Sequence, residues 1–344
     1  MGSATLMLRA EGVGGEASVS RAAALLRGGG LVAFPTETVY GLGANALDGE
    51  AVGKIFAAKQ RPRWDPLIVH VDGRQMLERV AVIPGGAAGE RVALLMEAFW
   101  PGPLTLLLPR TAEVPDAVTA GRDLVGVRTP AHTVARELIR LAGVPIAAPS
   151  ANRFGHTSPT TAAHVVEDLD GLIDAVLDGG PTRVGVESTV LDVEALRIYR
   201  PGGVTAERIA EVLGCEVRGA GEGTGERARV SPGMGMRHYA PRARIVRVCG
   251  QEEMLAEEER HRRVGVGVML PDGWRAGGAA AVFRWGPWED AEVLARLLFF
   301  GLRFLDARGV AVIVCPVPEM GGLGEAIRDR LGKAAMRGDD EAGS

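Results

Sequence analysis

A two-part α/β fold is predicted by three features of the chain. Short apolar runs of strand length alternate with amphipathic helical patterns over residues 20–213. A break follows at 214–226, GCEVRGAGEGTGE, with five glycines and the composition of a linker. The alternation then restarts near residue 245 and runs to 331, and 344 residues are enough for two cores. These features divide the chain into a first domain at 1–214, a linker at 215–243 and a smaller domain at 244–344.

In order, the pattern predicts a helix over 20–27, capped at Ser18 or Ser20 and stopped by Gly28-Gly29-Gly30, feeding a buried strand over 31–34. Pro35 stops the ladder, and the hydroxyl- and glycine-rich stretch from Thr36 to Gly43 lies just beyond the strand, where α/β proteins bind ligands. Its small residues allow a ligand close to the backbone. A helix over 49–60, with Asp48 as its cap, ends near Arg61 because Pro62 pushes the preceding residue out of helical geometry. Lys59, Arg61 and Arg63 then project ahead of a second buried run, 66–71, which carries His70. They fit an anionic ligand or, more plainly, a solvated basic rim.

Helices over 72–80 and 90–99 lead to Trp100-Pro101-Gly102-Pro103 and an apolar strand over 104–108. Trp100 suits either a purine stack or the lid of a core at a helix exit. The strand over 124–130 ends in Arg128, placed to pair with a carboxylate, a phosphate or a surface acid. A helix over 132–141 and a strand over 144–148 precede a long polar loop, 149–160, which supplies Ser150, Asn152 and Ser158. Beyond it come a helix over 161–169, a strand over 175–177, strands over 187–192 and 197–200, and a helix over 205–213. The second domain reads strand 245–248, helix 251–262, strand 264–270, strand 280–285, helix 290–307, strand 310–314 and helix 323–331. Gly265-Val266-Gly267 sits inside a strand and lacks the last glycine of a dinucleotide fingerprint, so it reads as packing.

Hydrophobic residues at 47%, charged residues at 24% and a net charge of -4 describe an ordinary globular chain with no general affinity for nucleic acid. Cys215, Cys249 and Cys315 form no paired motif, which argues against a structural zinc site and for a reducing compartment. No signal core or membrane-length apolar run is present, so a cytoplasmic location is expected.

The chain has no P-loop, kinase signature, nucleophile elbow or zinc-protease motif. What stands out are the cations Lys59, Arg61, Arg128 and Arg200 and the neutral polar residues Thr36, Ser150, Asn152, Ser158 and Ser188, mostly at strand exits. Such a set works by aligning substrates and neutralising phosphate charge, without a covalent intermediate.

In order along the chain, PTETVYGLG, KQRP, PLIVH, WPGPLT, VGVRTP, PSANRFG, ESTVLD, RPG and SPGMGMRHYAP resemble the motifs of the YrdC-like superfamily. The match is to its long L-threonylcarbamoyladenylate synthase form. The resemblance implies a YrdC-like twisted mixed sheet with helices packed on it and, by position and pattern, a small C-terminal Rossmann-like α/β domain. It implies that L-threonine and bicarbonate form an N-carboxy-threonine, which attacks the α-phosphate of ATP and releases pyrophosphate. The threonylcarbamoyl-AMP would pass to a threonylcarbamoyl-transferase complex that modifies tRNA. Mg²⁺ would come with ATP, held by its phosphates and not by protein ligands.

Carried over by position, Thr36, His70, Arg128 and Ser188 match the threonine site, and Lys59 and Arg61 carry the catalytic role. The ATP site would comprise Lys59 and Arg61 with Asp65, Leu124, Ala148, Ser150, Asn152, Ser158, Arg200 and Tyr239, and the HYAP segment at 238–241 would close as a lid. Asp65, Leu124 and Ala148 depart from the usual asparagine, threonine and hydroxyl residue. An acid at 65 would repel phosphate unless it faced the metal or the adenosine hydroxyls. Two rivals are a non-catalytic RNA-binding module that uses Lys59, Arg61 and Arg63 on phosphate, and the carbamoyl-adenylate-forming hydrogenase maturation enzyme. The latter's paired-cysteine motifs are missing here.

Overall fold

The computed structural model describes residues 4–219 and 238–336, in two compact units. The expected SPGMGMR portion of the linker, with the rest of 220–237, lies outside the described residues.

The first unit opens with β1 (Leu6–Arg9), α1 (Gly15–Arg27), β2 (Val32–Phe34) and β3 (Gly41–Asn45), followed by α2 (Gly49–Lys59), β4 (Ile68–His70), α3 (Arg74–Val80) and α4 (Gly86–Phe99). Next come β5 (Leu104–Pro109), α5 (Asp116–Thr119), β6 (Leu124–Arg128), α6 (Thr133–Ala142) and β7 (Ile146–Ala147). It closes with α7 (Ala162–Leu169), β8 (Ala175–Asp178), β9 (Thr189–Asp192), β10 (Arg197–Arg200) and α8 (Ala206–Leu213). The strands form one mixed sheet in the order β1-β8-β2-β3-β7-β4-β6-β5-β9-β10. Alternation along the strands divides its core. Val32 and Phe34 of β2 pack with α1 and α6, while Leu31 and Ala33 pack on the opposite face with Val52 and Ile55 of α2.

Two local expectations change, and the two readings of Trp100 resolve to the core lid. The first helix starts at Gly15, behind a left-handed Gly14 with no side-chain cap, and not at Ser18 or Ser20. The glycines of Gly41-Leu42-Gly43 form a strand and not an open ligand turn. A Cβ on Gly43 would come 2.8 Å from both the Phe34 ring and Ile146, so the missing side chain lets β2, β3 and β7 close up. Trp100 caps the core, donating its indole N–H to the Leu104 carbonyl at 2.7 Å.

Among the described residues the second unit gathers Gly155–Ser158, Val184–Val186 and 238–336. Its strands β11 (Arg244–Val248), β12 (Val266–Pro271), β13 (Ala281–Gly286) and β14 (Val312–Pro316) form a parallel sheet in the order β11-β14-β12-β13. The helices are α9 (Gln251–His261), α10 (Ala291–Asp306) and α11 (Gly322–Ala335). This is the Rossmann-like layering expected from the alternation. A Cβ on Gly267 would lie 3.1 Å from Leu305 and 3.2 Å from Val310, so that glycine serves packing as predicted. No described helix is long and apolar enough to cross a membrane.

Candidate functional site

Strand alternation collects the site on one face of the sheet. His70 shares a face with Ile68, Arg128 with Gly126 and Leu124, Thr105 with Leu107, and Ser188 with Val190. Ile68, Leu107 and Val190 form a small apolar cluster there, with Leu124 and Tyr199 packed against it. Gly126 keeps the floor low, since a Cβ on it would meet Thr105 at 3.2 Å and Leu107 at 3.5 Å. β4 and β6 run parallel with His70 opposite Arg128, so the polar ends of the two strands meet at the same level.

Arg128 is held from three sides. Its Nε donates to His70 Nε2 at 3.0 Å, and its Nη1 donates to Glu37 Oε1 at 2.9 Å. Its Nη2 donates to the hydroxyls of Thr36 at 3.3 Å and Thr38 at 3.1 Å. Glu37 Oε2 accepts the Ala131 backbone N–H at 2.9 Å, so one buried carboxylate ties the 36–38 loop to the turn beyond β6. Burial lowers the pKa of Arg128, and the carboxylates of Glu37 and Glu187 oppose that shift. The Arg128 pairing is therefore internal and buried, not the surface salt bridge weighed from the sequence. Glu37 and Thr38 are the functional candidates that sequence reasoning passed over.

Burial and then the Arg128 charge push His70 well below its ordinary value of 6.5. The neutral ring accepts the hydrogen bond from Arg128 Nε at its Nε2. Because the folded value lies below the unfolded one, the imidazole of the unfolded chain is protonated first as pH falls. His70 thus contributes stability that is complete above about pH 6.5 and declines as acid carries the pH toward the folded value. Thermal melts from pH 7.5 down to 5.5 should show the wild-type melting temperature falling faster than that of His70→Gln, whose amide accepts the Arg128 N–H at every pH. Parallel curves would reject the assignment.

Beside this cluster, Ser188 Oγ contacts Thr105 Oγ1 at 2.8 Å and accepts from Arg200 Nη2 at 3.1 Å. Arg200 also donates from Nε and Nη2 to the Ser188 carbonyl, at 3.1 and 2.9 Å. Gly202 explains the RPG sequence. A Cβ there would sit 2.2 Å from the Glu187 carbonyl oxygen and 2.5 Å from the Ser188 carbonyl carbon and the Thr189 nitrogen. Gly202→Ala should cost about 1–3 kcal/mol through forced backbone shift and displace Ser188. A calorimetric melt unchanged from wild type would contradict this.

Lys59 and Arg61 do not project into solvent. Their residues are 1% and 6% exposed, and only Arg63 of the three cations stays on the surface, which removes the basic patch that the RNA-binding alternative required. Gln60, left-handed at φ 53°, ends the helix and turns the chain so that Lys59 and Arg61 both point inward. Lys59 Nζ donates to the Ser150 carbonyl at 2.6 Å and to the Asn152 carbonyl. Burial and then the charge of Arg61 lower its pKa well below 10.5. Arg61 pairs with Asp65 at 2.9 Å, donates to the Pro66 carbonyl at 2.8 Å and lies over the Phe154 ring at 5.9 Å. The acid expected to repel phosphate is thus neutralised by the arginine four residues before it.

Ser150 bridges to Gly41, and Ala151 donates to the Tyr40 carbonyl at 2.8 Å. These contacts join the Lys59 strip to the loop that carries Thr36. Asn152 is fully buried, with its amide on the Arg153 carbonyl. Ala148 packs in the core on the α1 and α6 side, and Leu124 is half-buried beside the small apolar cluster. Ser158 and Tyr239 belong to the second unit. There Ser158 is fully buried, and Tyr239, at φ 63°, stacks on Phe299 at 5.5 Å beneath the Arg330 guanidinium.

A family model described as Telomere recombination matches residues 24–202, and one described as Threonylcarbamoyl-AMP synthase, C-terminal domain, matches 204–336. A Pyrococcus abyssi protein named threonylcarbamoyl-AMP synthase is 46% identical over 91% of this chain and 93% of its own length. The Bacillus subtilis protein of the same name is 45% identical, over 92% of each chain. A crystal structure of P. abyssi Sua5 complexed with L-threonine matches with a TM-score of 0.87 at 44% identity, covering 97% of this chain and 98% of that one. Matched by family models on both sides of residue 203 and by relatives along nearly their whole length, the chain belongs to the threonylcarbamoyl-AMP synthase family of enzymes.

Proposed function

We propose that the chain condenses L-threonine, bicarbonate and ATP to threonylcarbamoyl-AMP and pyrophosphate, supplying the threonylcarbamoyl group for a transferase complex that modifies tRNA. The single observation that carries the amino-acid half of this reading is the buried guanidinium of Arg128. It is fixed in orientation by His70, Glu37 and two threonine hydroxyls on a sheet face floored by Ile68, Leu107 and Val190. The P. abyssi relative is complexed with L-threonine, and an amino acid in the same place here would set its carboxylate against Arg128. Thr36 and Ser188 would receive the polar groups of its side chain and amine.

ATP would lie along Lys59, Arg61 and the 148–152 strip, with Arg200 on a phosphate and Leu124 and Ala148 against less polar parts of the nucleotide. Lys59, already bonded to two carbonyls, and Arg61, already bonded to Asp65, are held still before substrate arrives. Their charge then meets the developing negative charge on the phosphates without rearrangement, the arrangement that lowers a phosphoryl-transfer barrier most. Mg²⁺ would accompany ATP and offset charge on its leaving pyrophosphate. Its ligands would include the phosphate oxygens, with water completing the octahedron that Mg²⁺ demands. The test is pyrophosphate release with each substrate omitted in turn. Release only when threonine, bicarbonate and ATP are all present supports the reading, and release that ignores threonine overturns it.

A further inference from the structure

We propose that Glu37 reads the α-ammonium group of the amino-acid substrate while the adjoining Nη1 of Arg128 reads its carboxylate, so that the pair selects for an α-amino acid. The inference rests on the amino-acid site proposed above and adds a residue to it.

The hydrogen-bond count carries it. An arginine has five N–H groups. Arg128 uses Nε on His70, one Nη1 hydrogen on Glu37 and Nη2 on the two threonine hydroxyls, leaving the second Nη1 hydrogen without a partner among the described residues. Each Glu37 oxygen accepts one bond, from Arg128 or from the Ala131 N–H, and a carboxylate oxygen can accept two. The spare donor and the spare acceptor therefore lie on the two groups that already touch at 2.9 Å, with side chains only 5% and 8% exposed.

Charge points the same way. His70 is held neutral by burial and by Arg128, so Arg128 and Glu37 are the cation and carboxylate in direct contact, with the buried Glu187 carboxylate also acting on Arg128. A simple anion would gain from Arg128 and lose to Glu37. A ligand that brings both signs on neighbouring atoms gains from each, and an α-amino acid zwitterion does so. Glu37 also has to be bought out of water, and its bonds to Arg128 and Ala131 supply most of that compensation before substrate binds.

The test compares L-threonine with its α-hydroxy counterpart, 2,3-dihydroxybutyrate of the same stereochemistry, which keeps the carboxylate and side chain but replaces the ammonium with hydroxyl. Binding is measured by calorimetry to the full-length wild type and to Glu37→Gln. Wild type should prefer threonine by about tenfold or more, the worth of one charge-assisted hydrogen bond. Glu37→Gln should lose threonine affinity by a similar factor of about ten while its affinity for the hydroxy acid stays within about threefold. Equal binding of the two ligands by wild type overturns the inference without any variant, so a poorly folded Glu37→Gln does not protect it. Equal losses for both ligands in a folded variant also overturn it, because they would mean that Glu37 only holds Arg128 in place. Failure of wild type to bind threonine at all would sink the amino-acid site itself, a different outcome from failure to discriminate.

Discussion

Arg128→Lys is expected to fold and to lose threonine-dependent pyrophosphate release by about hundredfold or more, because lysine keeps the charge but not the planar fork. Three directions of hydrogen bonding converge on this guanidinium, to His70, Glu37 and the threonine hydroxyls, and an ammonium can reproduce at most part of that geometry. Arg128→Met alone makes a poorer experiment. It strands the Glu37 carboxylate in a dry site, a loss of about 3–5 kcal/mol when one partner of a buried pair is removed. Pairing it with Glu37→Gln removes both charges and should recover most of that stability while leaving threonine binding undetectable. Calorimetric titration with threonine, alongside a melt of each variant, separates binding from folding. A double variant that bound threonine normally would show that the carboxylate is held elsewhere.

The alternation of apolar runs and helical periods is enough to predict a large mixed sheet, a second α/β sheet after it, and the order of nearly every long element. The cations were legible too, since Lys59, Arg61, Arg128 and Arg200 stand at the ends of runs that are plainly strands or helices. What could not be seen was burial. Lys59 and Arg61 look like a solvated rim in one dimension, and only the left-handed turn at Gln60 sends both inward. Glu37 was passed over for a related reason. Beside an anionic ligand an acid looks unfavourable until the fold sets the 36–38 loop against the end of β6, where Glu37 pairs with Arg128. Period-two spacing in Leu124, Gly126 and Arg128 did hold a clue, because it places the arginine on the same face as an apolar residue and a gap. The strand at Gly41–Asn45 had no comparable signal, since glycine disfavours strands and the contacts that impose one come from Phe34 and Ile146.

Arg61→Ala should reduce pyrophosphate release by about 100- to 1000-fold, the usual loss when one preorganised charge-stabilising donor is removed. Part of the apparent effect would be structural, because Asp65 would remain buried with its cation gone. Adding Asp65→Asn to Arg61→Ala removes that charge and should restore the melting temperature but not the turnover. Near-normal release from either form would reject a phosphate role for Arg61. Asp65→Asn by itself makes the opposite prediction. With its counter-ion neutralised, Arg61 offers its full charge to the nucleotide, so ATP should bind several-fold more tightly and raise the melting temperature more than it does in wild type. The apo protein should meanwhile lose about 1–3 kcal/mol, because the amide offers Arg61 a weaker acceptor than the carboxylate did. If ATP instead binds more weakly to Asp65→Asn, the carboxylate must itself touch the nucleotide, and its pairing with Arg61 must open when ATP enters.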